Sequence, residues 1–227
     1  VPASSRVYIL KFTVGILDTN MYIVYDEGSR DSILVDPGGD PSEGLEWVRR
    51  LSLELRAVLA THGHFDHVAG LPSLRGLGVP SYIHRDDLEV VGVSAGWYSR
   101  YLGEEMEVPN FDVLLDGDTE LRFGSLELRV LHTPGHSPGS IAIYIPEAGA
   151  LLSGDTIFAG TVGRVDLPGG SEEELARSIR KIYERVPLDV VVYPGHGPQT
   201  TLRRELRANP FVEDALKAGN SKLSPSH

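Results

Sequence analysis

Four short apolar runs in this chain each end in a side chain able to hold a metal ion. Ala57-Val58-Leu59-Ala60 leads into Thr61-His62-Gly63-His64-Phe65-Asp66-His67, and Leu126 to Leu131 leads into His132-Thr133-Pro134-Gly135-His136. Leu151-Leu152 runs into Ser153-Gly154-Asp155, and Val190-Val191-Val192 into Tyr193-Pro194-Gly195-His196. Such a pattern is satisfied by a fold that brings the C-terminal ends of four strands to one rim. Sites assemble there in mixed α/β sheets, because the loops are held by rigid strands. The first cluster is the densest, with His62, His64, Asp66 and His67 in one short stretch. Extended backbone puts residues i and i+2 on the same side, whereas a helix would scatter His62 and His64. One ion held by His62 and His64, with Asp66 and His67 turning onto a helix start to hold a second, suits that spacing. Imidazole and carboxylate at this density point to zinc, iron or manganese.

Composition narrows the chemistry further. The chain has no cysteine and eight histidines, so disulfides, thiolate zinc sites, iron–sulfur clusters and cysteine nucleophiles are excluded. Acidic residues outnumber basic ones by 32 to 21, a formal charge of −11. Without a long Lys/Arg block, that balance speaks against nucleic acid or an anionic membrane as a partner. No run approaches the roughly 18 apolar residues of a membrane span, and Val1 to Arg6 lacks the pattern of a secretory signal. A soluble, cytoplasmic protein is expected. Gly and Pro recur as punctuation and do not pool into a linker, and no repeat is visible, so residues 1–227 are expected to form a single domain.

Strands are expected at Val7 to Val14, Met21 to Tyr25, Ser32 to Val35, Ala57 to Ala60, Ser81 to Ile83, Leu126 to Leu131, Ile141 to Ile145, Ala150 to Leu152 and Val190 to Tyr193. Helices are expected after Asp40, which can cap Pro41 and the run to Leu51, and after Ser171, with Glu174 three residues on and Pro187 ending the helix. A last helix is expected from about Leu202 to Ala218. The segment Val93 to Glu107, carrying Trp97, Tyr98 and Tyr101, fits a lid, a helix with a buried aromatic face or a subunit contact. His84 and His132 are expected to make structural hydrogen bonds, and His227 to be without function.

The pattern His62-Gly-His64-Phe-Asp66-His67, followed by separated His136, Asp155 and His196, resembles the HxHxDH signature of the metallo-β-lactamase superfamily. Leu34-Val35-Asp36-Pro37-Gly38 matches an early motif of the same superfamily. The resemblance implies an α/β fold, the four-layer αβ/βα sandwich of two mixed β-sheets with outer helices. It also implies a ligand set, with His62, His64 and His136 on one ion, Asp66, His67 and His196 on the other, and Asp155 bridging. Asp66 and Asp155 are then the catalytic carboxylates, and Asp36 plays a supporting part. The implied cofactors are two divalent ions, zinc first and iron or manganese as alternatives. Such a pair lowers the pKa of a shared water from about 15.7 toward neutrality, and the hydroxide attacks a carbonyl. Two ions outweigh Asp66, Asp155 and the hydroxide in charge, so the mouth of the site is expected to be locally positive.

Gly154-Asp155-Thr156-Ile157-Phe158, Gly163-Arg164-Val165-Asp166-Leu167-Pro168-Gly169-Gly170 and Pro194-Gly195-His196-Gly197-Pro198 are similar to the short glyoxalase II-like hydrolases. That similarity implies hydrolysis of a hydroxyacyl-glutathione thioester, with a small acyl thioester as substrate and Arg164 as a contact for a substrate carboxylate. The alternative for Arg164 is a structural ion pair with Asp166. The chain is expected to lack the separate C-terminal helical domain that helps full-length glyoxalase II hold glutathione. Weighed against the thioesterase are a persulfide dioxygenase with one iron on His62, His136 and Asp155, a lactonase, and a non-catalytic metal-binding protein. A homo-oligomer is compatible with any of them. Gly135-His136-Ser137-Pro138-Gly139 formally matches the G-x-S-x-G nucleophile elbow, but Pro138 has no N–H for an oxyanion hole and a strand follows where a helix is needed.

Overall fold

The structure, a computed structural model, describes residues 6–220. The terminal His227 and Val1 to Ser5 lie outside the described residues. The first half builds one six-stranded sheet in the order β1 (Val7–Val14), β2 (Thr19–Asp26), β3 (Asp31–Val35), β4 (Glu54–Leu59), β5 (Ser81–His84) and β6 (Val113–Leu115). Pairing is antiparallel from β1 to β3 and parallel from β3 to β6. The second half forms a sheet ordered β14-β13-β10-β9-β8-β7. Its strands are β7 (Thr119–Phe123), β8 (Leu126–His132), β9 (Ile141–Ile145), β10 (Ala150–Gly154), β13 (Val191–Pro194) and β14 (Thr200–Thr201). A two-stranded ribbon, β11 (Ile157–Phe158) and β12 (Thr161–Val162), leaves the end of β10.

Alternation along the strands explains why the two sheets stack. Tyr22, Val24, Ile33, Val35, Ala57 and Leu59 point from the first sheet into a shared core with Leu128, Val130, Ile141, Ile143, Ile145 and Leu152 of the second. The intervening Met21, Ile23, Leu34 and Val58 face outward and are buried by α1 (Ser42–Arg50) and neighbouring turns. On the far side, Ala142, Tyr144, Leu151 and Val192 pack under α4 (Glu172–Arg185) and α6 (Pro210–Asn220). Strands covered on both faces read as unbroken apolar runs, which is why Ile33 to Val35 shows no polar alternation. The layers are therefore helix, sheet, sheet and helix, the αβ/βα sandwich that the family resemblance implies. Among the described residues no helix is long and apolar enough to cross a membrane.

Ser171 caps α4 as the sequence suggests, accepting from the Glu174 N–H at 3.3 Å. Asp40 does not cap α1 as expected: the N-cap is Pro41, which has no capping side chain, and Asp40, one residue earlier, accepts from the Ser42 N–H at 2.9 Å. The expected single helix from Leu202 to Ala218 is two helices, α5 (Leu202–Ala208) and α6. Pro210 has no N–H to continue the ladder and restricts Asn209 to extended backbone, where its ψ is 109°. The Asn209 side chain then accepts from the Phe211 and Val212 N–H groups and caps α6. β6, β7, β11, β12 and β14 were not expected from the sequence. Four of them are only two or three residues long, too short to declare themselves without their partners.

Candidate metal centre

The rim formed by the C-terminal ends of β4, β8, β10 and β13 brings together all seven side chains singled out in the sequence. Extended backbone at His64 and the short helix α2 (Phe65–Val68) divide the first cluster, and the helix brings the His67 ring to 4.0 Å from that of His62, nearer than His64 at 4.9 Å. Distances draw overlapping groups. His62, His64 and His136 converge as one and Asp66, His67 and His196 as another, and His62 also closes on His67 and Asp155 in a third that joins the two. His64 Nδ1 lies 2.9 Å from His136 Nε2, and His67 Nε2 lies 3.3 Å from His196 Nε2. Asp155 stands between the groups, with Oδ1 3.5 Å from His67 Nε2 and Oδ2 3.5 and 3.6 Å from His136 and His196.

The outer nitrogens decide what the inner ones can do. His67 Nδ1 donates to Asp36 Oδ2 at 3.0 Å, His136 Nδ1 to the Arg164 carbonyl at 2.8 Å and His196 Nδ1 to the Leu17 carbonyl at 3.1 Å. His62 Nδ1 donates to the Thr61 hydroxyl at 3.1 Å, which in turn donates to Asp36 at 2.7 Å. An oxygen on the outer nitrogen places the ring proton there and leaves the inner nitrogen a bare lone pair. Four such Nε2 atoms therefore face each other and two carboxylates, an arrangement that repels itself unless a cation sits among them. His62 Nε2 and Asp155 Oδ1 are buried without any hydrogen-bond partner, as expected of atoms reserved for a metal. Gly195 leaves the room: a Cβ there would lie 2.0 Å from Asp155 Oδ1 and 2.8 Å from His67 Cε1.

Electrostatics show the same demand for positive charge. Burial, with neighbouring imidazoles, pulls His62 well below its ordinary value and His64 down to about 3. Burial also opposes charge on His67, yet Asp155, Asp66 and Asp36 surround it and push it up to about 10. Burial would raise Asp66, but His67 and His196 hold its carboxyl well below the usual range. A proton on His67 thus stands where a divalent ion would balance the carboxylates better.

Other residues take places the sequence left open. Asp36, at a left-handed φ of 55°, accepts from the Thr61 N–H as well as from Thr61 Oγ and His67. Arg164 lines the cleft but is bound through two 2.7 Å hydrogen bonds to Asp166, the structural alternative named for it. Ser137 is buried, and its hydroxyl donates to Asp87. His84 accepts from the Gly117 N–H and stacks on His132 at 3.9 Å, and His132 donates to the Pro138 carbonyl. The Val93 to Glu107 segment belongs mostly to α3 (Leu88–Leu102), which lays Ser94 and Trp97 along the cleft while Tyr98 packs on Phe65. The cleft has a volume of about 530 Å³, with Leu17, Phe65, Trp97, Phe158, Val162 and Leu167 opposite the histidines. The sequence reading missed Asp87, the Leu17 carbonyl and the Phe158 wall. Asp87 carried a signal, an acidic residue at a helix start, but its partners lie far away in the chain.

The model of the metallo-β-lactamase superfamily matches residues 14–196. The chain belongs to this superfamily. It is accordingly a metal-binding enzyme of hydrolase type. Similar solved structures include BLEG-1, a B3 metallo-β-lactamase, with 34% identity, a TM-score of 0.83 and coverage of 90% of this chain and 99% of that one. TTHA1623 in a di-iron-bound form is 40% identical with a TM-score of 0.78, over 89% and 99% of the two chains. Hydroxyacylglutathione hydrolase GloC of Haemophilus influenzae is 31% identical over 85% of this chain and 92% of its own length. Members of different subfamilies are thus similarly related to this chain.

Proposed function

We propose that His62, His64 and His136 hold one divalent ion, that Asp66, His67 and His196 hold a second with Asp155 between them, and that the centre hydrolyses a small carbonyl compound with an apolar body. The substrate this reading takes first is a cyclic ester, opened to the hydroxy acid. The observation that carries this reading is the set of inward lone pairs of His62, His67, His136 and His196, each fixed by an oxygen on the outer nitrogen, beside an apolar wall. When bound, paired divalent ions supply a water acidic enough to attack at neutral pH and a Lewis acid for the carbonyl oxygen.

The chain's own residues supply the rest. Leu17, Phe65, Trp97, Phe158 and Leu167 bind the apolar part of the substrate and exclude water from the reacting carbonyl. Asp66, kept as an anion by His67 and His196, holds charge and is too weak a base to carry protons. Arg164 pairs with Asp166 at the surface and is not assigned a substrate carboxylate in this reading, which takes a neutral substrate. Ring opening consumes one water and breaks the acyl C–O bond, and both products stay in one molecule. The similarity to BLEG-1, named as a β-lactamase, is in keeping with ring opening. A second reading, acyl thioester hydrolysis, is favoured by the similarity to GloC and by the ability of a thiolate to leave without a proton donor. The di-iron form of TTHA1623 supports two ions and makes iron as plausible a choice as zinc.

Metal analysis combined with turnover of lactones and thioesters, in air and under argon, tests these readings. Two ions per chain with oxygen-independent lactone hydrolysis is the expected result. Faster thioester turnover selects the second reading. One iron per chain, oxygen uptake with a persulfide and no hydrolysis overturns both in favour of a dioxygenase using His62, His136 and Asp155. A fully metallated protein inert toward all three substrate classes leaves a non-catalytic metal-binding role.

A further inference from the structure

Asp87 stands at the start of α3, where an aspartate ordinarily accepts from the helix's own first-turn N–H groups. Its side chain makes no such bond. The carboxylate, fully buried, turns instead to two other loops. Oδ2 accepts from the Gly63 N–H and from the Ser137 hydroxyl, each at 2.7 Å, and Oδ1 accepts from the Gly139 N–H at 2.5 Å. Gly63 separates His62 from His64, and Ser137 follows His136. One loop leaves β4 of the first sheet and the other leaves β8 of the second, so a single side chain ties together the two sheets at the metal group they share.

Chemistry at the position is demanding. Three donors converge on two oxygens, and only an ionised carboxylate offers acceptors on both sides; an amide of the same shape would turn an N–H against one of them. The backbone approaches closely enough to exclude side chains, since a Cβ on Gly63 would lie 2.7 Å from the Asp87 carbonyl oxygen and one on Gly139 2.7 Å from the Asp87 nitrogen. A buried carboxylate is unfavourable unless it is fully hydrogen-bonded, and here the bonds go to the residues that flank three histidines.

We propose that Asp87 is a positioning residue that sets the separation of His62 and His64 from His136, and so the affinity and geometry of the ion those three hold. The inference rests on the metal reading above and goes beyond it in assigning control of one ion to a residue that touches neither. Ligands must be held to within about 0.5 Å for such control to matter, and two loops from different sheets have no covalent reason to keep that register.

The test is a titration of metal-free protein with cobalt(II), followed by absorption, and with zinc(II) against a chromogenic chelator, for the wild type, Asp87→Asn and Ser137→Ala. His64→Ala and His196→Ala assign the two equivalents. Asp87→Asn is expected to weaken the His62/His64/His136 equivalent by about 10–100-fold and to change its cobalt spectrum, while the other equivalent keeps its affinity. Ser137→Ala, which removes one donor of the three, is expected to act in the same direction more weakly. Wild-type titrations for both variants, or equal weakening of both equivalents, overturn the proposal. Should Asp87→Asn fail to fold, Ser137→Ala decides: a loss confined to one equivalent supports the assignment and an unchanged titration refutes it. A wild type that binds no metal would strike the metal reading itself, before any variant is compared.

Discussion

Replacing Asp36 with Asn changes one atom and is expected to remove most of the affinity for the ion at His67. The Asp36 carboxylate takes three donors: the Thr61 N–H and Thr61 hydroxyl, each at 2.7 Å, and His67 Nδ1 at 3.0 Å. In Asp36→Asn the amide keeps its oxygen toward the Thr61 N–H, where a backbone donor cannot turn away, and presents its NH₂ to Thr61 Oγ and His67. The hydroxyl can rotate and accept. The imidazole can only change tautomer, which moves its proton to Nε2 and points it at Asp66, Asp155 and His196. A hydrogen bond to a charged group contributes about 1.5–3 kcal/mol, and about 1.4 kcal/mol is a factor of ten in affinity. A loss of about 10–100-fold follows, the range seen when residues supporting a metal ligand are changed. Competition titration against a chelator, with the two equivalents assigned by His64→Ala and His196→Ala, reads this directly. Both equivalents binding as in the wild type would refute the reasoning, because the tautomer of His67 would then not depend on Asp36.

Further outcomes are expected from the same geometry. In the metal-free protein His67 is raised to about 10 from an ordinary 6.5, so its proton stabilises the fold fully below pH 6.5, and that contribution is lost as pH rises toward 10. His64, lowered to about 3, acts on the other side, since the unfolded chain takes up a proton below pH 6.5 that the folded one refuses. Thermal melts of chelated protein are expected to peak near that pH, with a flatter profile when metal is present; a metal-free profile that keeps rising to pH 10 would contradict the His67 shift. Gly195→Ala places a Cβ 2.0 Å from Asp155 Oδ1 and is expected to abolish binding at the Asp66/His67/His196 group, a loss readable as one equivalent fewer by metal analysis. Arg164→Ala is expected to leave turnover of a neutral lactone within about threefold, because the guanidinium it removes is occupied by exposed Asp166; a large rise in KM for an anionic thioester alone would restore Arg164 as a substrate contact.

Much of this was legible in the primary structure. Apolar runs at Ile33 to Val35 and Ile141 to Ile145 announced strands, and the runs that ended in His or Asp announced side chains gathered at one rim. Ser171 marked a helix start because capping is a local matter of one side chain and the next turn, whereas Asp40 marked the neighbourhood of α1 without capping it. Alternation in the His62 to His67 stretch placed Asp66 and His67 on a helix start but did not foretell that the His67 ring comes to 4.0 Å from that of His62. Where the sequence reading failed, as at the helix expected across Asn209-Pro210, a local rule about proline was available and was outweighed by the apolar period. The short strands β11, β12 and β14 could not be read locally, since strands of two residues exist only through their neighbours.

Side-chain identity and period thus determined the strand ends, the capped start of α4 and which side chains meet at one rim, because those depend on contacts within a few residues along the chain, whereas the layer order was implied by the family resemblance. Only the tertiary structure decided how they are used. Asp36 reaches His67, Leu17 reaches His196, and Asp87 reaches Gly63, Ser137 and Gly139 across stretches of 24 to 179 residues. Arg164, by contrast, spends its charge on a neighbour two positions away. A hydrogen bond is satisfied by whatever partner the packed sheets bring within 3 Å or so, and sequence spacing carries no record of which partner that is.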